Sequence, residues 1–296
     1  MSKYIGLIGY PLKHSISPYF QQAALDYYHL DICYEAWERE PAQLGNVVND
    51  LRGPQNVGAN VTVPHKETVL LLLDEIDDLA SSIGAVNTIV KKDDRLVGSN
   101  TDAYGFAEAL EKEGHFVPAG KRVVLLGAGG VARAVGFILA QRKAASLSIT
   151  DGVFERATAL AENLARYVER TVPGHKYREP DISAFRWQSL ESGKALEDCH
   201  LIVHCTTLGM KDGPQEGQSP LNFEVIPKNV LVYDVVYNPR MTPLLELAQK
   251  AGANILGGLA MLVYQGAASF KLWTGREPPV DIMFTKAKEA LAGGKA

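Results

Sequence analysis

The run Val123-Val124-Leu125-Leu126 has no polar alternation and leads directly into Gly127-Ala128-Gly129-Gly130-Val131-Ala132, after which residues 131–141 keep helical spacing. A strand that is apolar at successive positions is covered on both faces, as in a parallel sheet flanked by helices. The turn that follows reads G-x-G-x-x-A between a strand and a helix, the context that gives this pattern meaning. Its first glycine permits the tight turn, the second lets a pyrophosphate approach the backbone, and the small third position lets helix and strand pack closely. Free N–H groups in the first turn of the helix then face the phosphates. Gly127, Ala128, Gly129, Gly130 and Val131 are therefore expected to cradle a dinucleotide. The alternative, a glycine-rich turn that binds nothing, needs the strand, the helix and three small residues to coincide without cause.

The same half of the chain carries further strand patterns at 145–150, 201–204 and 230–235, with helical patterns at 131–141 and 155–168. This alternation predicts a doubly wound sheet. The second strand ends at Asp151, 24 residues beyond Gly127. A carboxylate there accepts hydrogen bonds from both ribose hydroxyls and repels a 2′-phosphate, which favours NAD over NADP. The other reading of Asp151 is a turn residue or a cap for the next helix. No arginine stands at 152–154. Residues 171–193 are polar and aperiodic, and are expected to form a loop with room for one edge strand. Helical patterns return at 244–251, 259–273 and 280–291.

The chain has 296 residues, a length that suits two domains. Over roughly the first 100, strand patterns at 4–8, 32–37, 57–63 and 85–90 alternate with helical ones at 18–28 and 66–79, which predicts a separate α/β domain. Hydrophobic residues make up 46% and charged ones 22%, enough apolar material for a sizeable core. With 30 basic and 34 acidic residues, a net charge of −4, there is no electrostatic ground to expect nucleic acid. The leucine-rich run at 69–73 stops at Asp74, far short of the roughly 20 apolar residues of a membrane helix. The opening apolar stretch ends at Tyr10-Pro11, too early for a secretory signal. Cys33, Cys199 and Cys205 are too few and too scattered for a disulfide framework. A cytoplasmic protein without a membrane partner is the expectation.

The first domain holds a second group of chemistry-bearing residues. His14-Ser15-Ile16-Ser17-Pro18 places two hydroxyls ahead of a helix, with Ser17 as the N-cap and Pro18 as the first helical residue. A helix N-terminus with flanking hydroxyls also suits a carboxylate or phosphate. Asn60-Val61-Thr62-Val63-Pro64-His65-Lys66 leaves a strand and is expected to put Lys66 in the first turn of a helix. The positive end of the dipole disfavours a cation there, which costs stability but suits a group that exchanges protons. A solvated lysine is the ordinary alternative, and His65 receives no role. Gly84-Ala85-Val86-Asn87-Thr88 puts an asparagine in a strand pattern, where it needs a partner. Asp102, after Gly98-Ser99-Asn100-Thr101, opens a helix at 103–112, where the dipole alone would favour an acid. Cys199-His200 and His204-Cys205 do not make a metal site. At a period of two, the histidines share one face of a strand and the cysteines the other, so four ligands cannot converge.

Taken together, these segments resemble the shikimate dehydrogenase family along the whole chain. The resemblance rests on Gly6-Leu7-Ile8-Gly9-Tyr10-Pro11, Ser15-Ile16-Ser17, residues 60–66, 84–88 and 100–102, and Gly127-Ala128-Gly129-Gly130. It continues through Asp234-Val235-Val236-Tyr237-Asn238-Pro239, Thr242-Pro243-Leu244-Leu245, Met261-Leu262-Val263-Tyr264-Gln265 and Leu272-Trp273-Thr274-Gly275. It implies a two-domain α/β fold, with an N-terminal substrate-binding catalytic domain at 1–103, a C-terminal Rossmann domain at 104–274 and a cleft between them. Helices at about 275–296 would pack back on the first domain. It further implies reversible nicotinamide-dependent reduction of 3-dehydroshikimate to shikimate, on the route to chorismate and the aromatic amino acids.

By the same resemblance, Ser15, Ser17 and Tyr237 hold the substrate carboxylate. Asn60, Thr62, Asn87, Asp102 and Gln265 bind ring hydroxyls, and Lys66 transfers the proton with Asp102 beside it. Val235 and Gly258 line the nicotinamide side, and the oligomer is a monomer or homodimer. The chain departs from the family where NADP-linked members carry Asn-Arg-Thr and it reads Asp151-Gly152-Val153. It also has Ala260 in place of a glycine and His204 in place of an asparagine. The first departure resembles the NAD-linked quinate/shikimate branch, which stands as the alternative. A non-catalytic regulator sensing NAD and a polyol acid is a third reading, disfavoured because Lys66 and Asp102 are both retained.

Overall fold

The computed structural model describes residues 2–171, 181–191 and 193–293. The chain opens with β1 (Lys3–Gly9), α1 (Ser17–Tyr27), β2 (Ile32–Glu38), α2 (Leu44–Asp50), β3 (Asn56–Val61), β4 (Glu75–Ile76), α3 (Asp78–Ile83), β5 (Thr88–Lys92), β6 (Arg95–Ser99) and α4 (Asp102–Lys112). It continues through β7 (Arg122–Leu126), α5 (Gly130–Gln141), β8 (Ser146–Thr150), α6 (Phe154–Thr171), β9 (Asp181–Ala184), β10 (Leu201–His204), β11 (Leu231–Asp234), α7 (Pro243–Ala251) and β12 (Asn254–Gly257). It ends in α8 (Leu259–Thr274) and α9 (Val280–Ala292). Two compact units result, one made of residues up to Phe106 together with those from Leu262 onward, the other running from Ala107 to Met261.

The first unit is built on a six-stranded sheet in the order β2-β1-β3-β5-β6-β4. β2, β1 and β3 run parallel, and β5 reverses against β3 and forms a hairpin with β6. Ile8, Val61, Val69, Ile89 and Leu96 belong to a core that α2 completes with Leu44, Val47 and Val48. Gly6 is required on β1 because a Cβ there would stand 2.0 Å from the Trp37 ring. α1 buries Phe20, Ala24 and Leu25 and packs against α9.

Two sequence expectations fail in this unit. Residues 66–79 are not a helix. They form a short 3₁₀ turn at Thr68–Leu72, then edge strand β4, then α3 capped by Asp77, whose carboxylate accepts from Ala80 N at 2.7 Å. The reason is Asp74, whose carboxylate receives Arg52 and the Leu96 N–H and so ties the chain to the sheet edge. The strand expected at 85–90 begins only at Thr88 and is half of a hairpin whose other half, β6, the alternation does not single out.

The second unit has the sheet order β12-β11-β10-β7-β8-β9, with every pair parallel. The chain starts at β7 in the middle, steps outward through β8 and β9, then returns to the other side of β7 for β10, β11 and β12. The strand order therefore reverses between β7 and β10, the position where ligands bind at the carboxyl ends of doubly wound sheets. Val123, Val124, Leu125 and Leu126 are all buried, as the unbroken apolar run requires. The polar stretch 171–193 supplies edge strand β9, while 172–180 and 192 lie outside the described residues. β12, which periodicity does not reveal, closes the opposite edge.

The expected limit of 104–274 for the second domain does not match these units, because α8 from Leu262 onward belongs to the first. Hydrogen bonds hold it there. Trp273 Nε1 donates to Ile89 O at 2.9 Å, and Gln21 Nε2 donates to Gly266 O at 2.9 Å. No described helix is long and apolar enough to cross a membrane.

Candidate active site and dinucleotide site

Lys66 stands on the turn after β3 and not at a helix N-terminus, so the dipole argument does not apply to it. Its backbone is pinned by Val86 N, which donates to Lys66 O at 2.8 Å. Its Nζ donates to Asp102 Oδ2 at 2.7 Å, with the two side chains only 11% and 6% exposed. The helix terminus belongs to Asp102, the first residue of α4, whose dipole favours the carboxylate there. Asn87 Nδ2 donates to Asp102 Oδ1 at 2.9 Å. Asn87 Oδ1 accepts from Thr101 N at 2.7 Å, and Gln265 Oε1 lies 3.2 Å from Asn87 Nδ2. Gln265 in turn donates to Leu262 O. Asn87 sits just before β5, not within a strand, and its required partners are these groups. Lys66, Asp102, Asn87 and Gln265 thus form one connected polar chain. An amine fixed against an oriented carboxylate, with limited access to water, is suited to passing a proton to and from a substrate hydroxyl.

Asn60 departs from the expectation that it binds a ring hydroxyl. It is 5% exposed and turned inward. Tyr34 Oη donates to its Oδ1 at 2.7 Å, and its Nδ2 has Asn87 O, Thr88 Oγ1 and Ser269 Oγ within 3.2 Å. These three acceptors are backbone or packing groups, whereas Asn87 Nδ2, which also faces three acceptors, shares them with Asp102 and Gln265 of the Lys66 chain. Burial pushes the Tyr34 phenol above its ordinary range, so it remains a donor. Ser269, Thr88 and Thr101 join this cluster, and no local pattern marks Ser269 in the sequence. Thr62 stands just beyond β3, half-buried.

Ser15 and Ser17 lie at the start of α1, but Ser17 is not the cap. Ile16 occupies the N-cap position without a side-chain bond, and Ser17, buried, is the first helical residue, with its N–H 3.4 Å from Ser15 Oγ. Tyr237 lies in the second unit, on the segment after β11.

The second unit holds the dinucleotide motif. Gly127 has φ +115°, and its N–H donates to Thr150 O at 2.7 Å. A Cβ there would be both strained and 3.1 Å from Cys205 C and Thr206 Cγ2. At Gly129 the space a Cβ would fill is open, with nothing within 4 Å. α5 starts at Gly130 and no side chain caps it, so Gly129, Gly130 and Val131 present an open cradle and free N–H groups suited to a pyrophosphate. Asp151 accepts from Ala128 N and from Val153 N, each at 2.8 Å, one bond per carboxylate oxygen. Its role as a turn residue is therefore real, and each oxygen keeps a second lone pair for a ribose hydroxyl. A Cβ on Gly258 would lie 2.1 Å from Val235 O, which explains the glycine. These residues fit a dinucleotide cofactor.

His204 and Cys205 do not converge with Cys199 and His200. His200 Nδ1 accepts from Arg122 N at the far end of β10, whereas His204 lies at the carboxyl end beside Asp234. Burial pushes the Cys199 thiol up to about 12.

Known proteins match along the whole length. A curated relative named shikimate dehydrogenase (NADP(+)), from Moorella thermoacetica, is 42% identical and covers 99% of this chain and 96% of its own. This chain belongs to the shikimate dehydrogenase family. The family's substrate binding domain pattern matches residues 7–89, and its Shikimate 5′-dehydrogenase C-terminal domain pattern matches 258–283. Among solved structures, a shikimate dehydrogenase in complex with NADP+ superposes with a TM-score of 0.88 at 36% identity, covering 98% of this chain and 96% of that one. A quinate dehydrogenase from Corynebacterium glutamicum in complex with NAD gives a TM-score of 0.85 at 30% identity, with 97% and 99% covered. As a member of the shikimate dehydrogenase family, the chain is an oxidoreductase acting on a CH–OH group with a nicotinamide.

Proposed function

We propose that this chain oxidises and re-forms the shikimate carbinol with NAD(H) in preference to NADP(H). The observation that carries the reading is the half-buried Lys66–Asp102 pair at 2.7 Å, tied through Asn87 to Gln265. When bound, a nicotinamide supplies the hydride acceptor and donor. In oxidation Lys66 takes the proton of the reacting hydroxyl, and in reduction it returns it. Asp102 holds the amine in place through its Oδ2 while Asn87 fixes the carboxylate through its Oδ1. Ser15, Ser17 and Tyr237 receive the substrate carboxylate, and Thr62, Asn87, Asp102 and Gln265 the ring hydroxyls. Asn60 acts behind them, holding the strands that carry these residues.

The preference for NAD rests on Asp151, whose negative charge stands beside the glycine turn with no arginine at 152–154 to receive a 2′-phosphate. A second reading, action on quinate with NAD, is favoured by the similarity to the quinate dehydrogenase. Initial rates with shikimate and quinate, each with NAD and NADP, test both. The expected result is the highest kcat/KM for shikimate with NAD. A higher kcat/KM with NADP overturns the role given to Asp151, and a higher one for quinate selects the second reading.

A further inference from the structure

The carboxyl ends of β10 and β11 carry a buried polar relay. His204 and Asp234 face each other in register on the two strands, and neither is exposed at all. His204 Nδ1 lies 2.9 Å from Asp234 Oδ1, and His204 Nε2 lies 2.5 Å from Thr206 Oγ1. The other Asp234 oxygen accepts from Thr242 Oγ1 at 2.6 Å, and Thr242 is the N-cap of α7. A carboxylate only accepts, so His204 Nδ1 carries a hydrogen. Leu208 N donates to Thr206 Oγ1, which leaves the threonine's own hydrogen free to point at Nε2 of a neutral ring. Every group in the chain α7 cap, Asp234, His204, Thr206, Leu208 N–H is then satisfied without a buried charge beyond Asp234.

The position of this relay gives it a role. β10 pairs with β7 on the side where the strand order reverses, with His204 opposite Leu126, the residue before Gly127. Thr206 Cγ2 and the Cys205 backbone form the wall against which Gly127 is packed at φ +115°. We infer that His204 is a positioning residue for the dinucleotide, locking Thr206 and the segment after β10 against the Gly127 turn so that the phosphate cradle is preformed. The inference rests on the reading that this turn holds the cofactor.

Four variants, His204→Asn, His204→Gln, Thr206→Val and Thr206→Ser, separate the contacts by shape. His204→Asn keeps a donor near the Nδ1 position and loses the reach to Thr206. His204→Gln keeps a polar atom near Nε2, and Thr206→Val removes the hydroxyl at constant size. The measurement is NADH affinity by fluorescence titration, with KM and kcat and the thermal midpoint alongside. His204→Asn and Thr206→Val are each expected to weaken NADH binding by about 5- to 10-fold, the scale of one or two lost hydrogen bonds, with the double variant no worse than Thr206→Val alone. His204→Gln and Thr206→Ser are expected to recover most of the affinity, and the KM for shikimate to hold in all of them. NADH affinity unchanged within about twofold in both His204→Asn and Thr206→Val overturns the inference, as does a fall in kcat at constant affinity. Gly129→Leu is the control, since its side chain would enter the open space of the cradle. If that variant binds NADH as the parent does, the reading of the turn itself fails. If it loses binding while the His204 variants do not, the His204 inference alone falls.

Discussion

In the first unit the decisive polar groups are side chains gathered from far apart in the chain. Asn60 meets Ser269 across 209 residues, and Asn87 meets Gln265 across 178. In the second unit the groups that fit a dinucleotide are mostly backbone N–H, on one continuous strand, turn and helix between Arg122 and Gln141, with Asp151 accepting from the Ala128 N–H. The first arrangement positions one amine and one carboxylate through many partners, and behind them Asn60 and Ser269 bond to further protein groups. The second depends on the absence of side chains, at Gly127 because of its torsion and at Gly129 because the space must stay open. Substitutions should therefore act differently in the two places.

The largest effect is expected at Lys66. Lys66→Ala should lower kcat by about 10²- to 10⁴-fold, the usual scale for a general acid or base, while NADH affinity measured by titration stays as in the parent. An unchanged kcat removes Lys66 from the chemistry, and lost NADH affinity would erase the division of labour between the units. Next comes Asn60→Ala, which strands the Tyr34 hydroxyl and removes the donors to Thr88 and Ser269. It should cost about 1–3 kcal/mol in urea unfolding and leave the KM for shikimate within about threefold. A large rise in KM at constant stability would restore Asn60 as a direct ligand.

The smallest effect lies away from both sites, at the clamp that sets β4. Arg52, and after it the Leu96 N–H, lower the Asp74 carboxyl to about 2. A depressed carboxylate stabilises above its unfolded value, near pH 4, and that contribution drains away as pH falls toward about 2. Asp74→Asn should accordingly show a shallower loss of the urea midpoint between about pH 5 and 2.5 than the parent, by a modest margin because the pair is partly exposed. Parallel curves for the two proteins would show that the clamp contributes nothing.

The same contrast explains what could be read from the sequence. The central strand β7 and its glycine turn follow from local rules, because a buried parallel strand announces itself by an unbroken apolar run and the turn by its spacing, whereas the edge strand β12 does not. The first unit's Lys66–Asp102 contact is legible only through the company those residues keep, and a helix dipole does not act on Lys66, which stands on a turn. The run at 69–73 is apolar throughout and so carries no period, leaving Asp74 and Asp77 to decide the local fold through contacts with Arg52, Leu96 and Ala80. Ser269 and Tyr34 gave no signal because their partners lie on other strands and helices. His204 stood out in sequence as a departure from the family, but only its register opposite Asp234 shows what it joins.

One consequence follows from the return of α8 and α9 to the first unit. The segment Ala107–Met261 is contiguous, so all the residues of that unit are present once Met261 has been added. The unit that carries Lys66 must wait for Gln265, Ser269 and Trp273 to be synthesised before Asn60, Asn87 and Ile89 find their bonds. At about 5–20 residues per second, the 12 residues from Met261 to Trp273 take roughly 1 to 2 s to add, an interval in which the unit of the Gly127 turn has all its residues and the unit of Lys66 does not. Birth order thus runs opposite to sequence order.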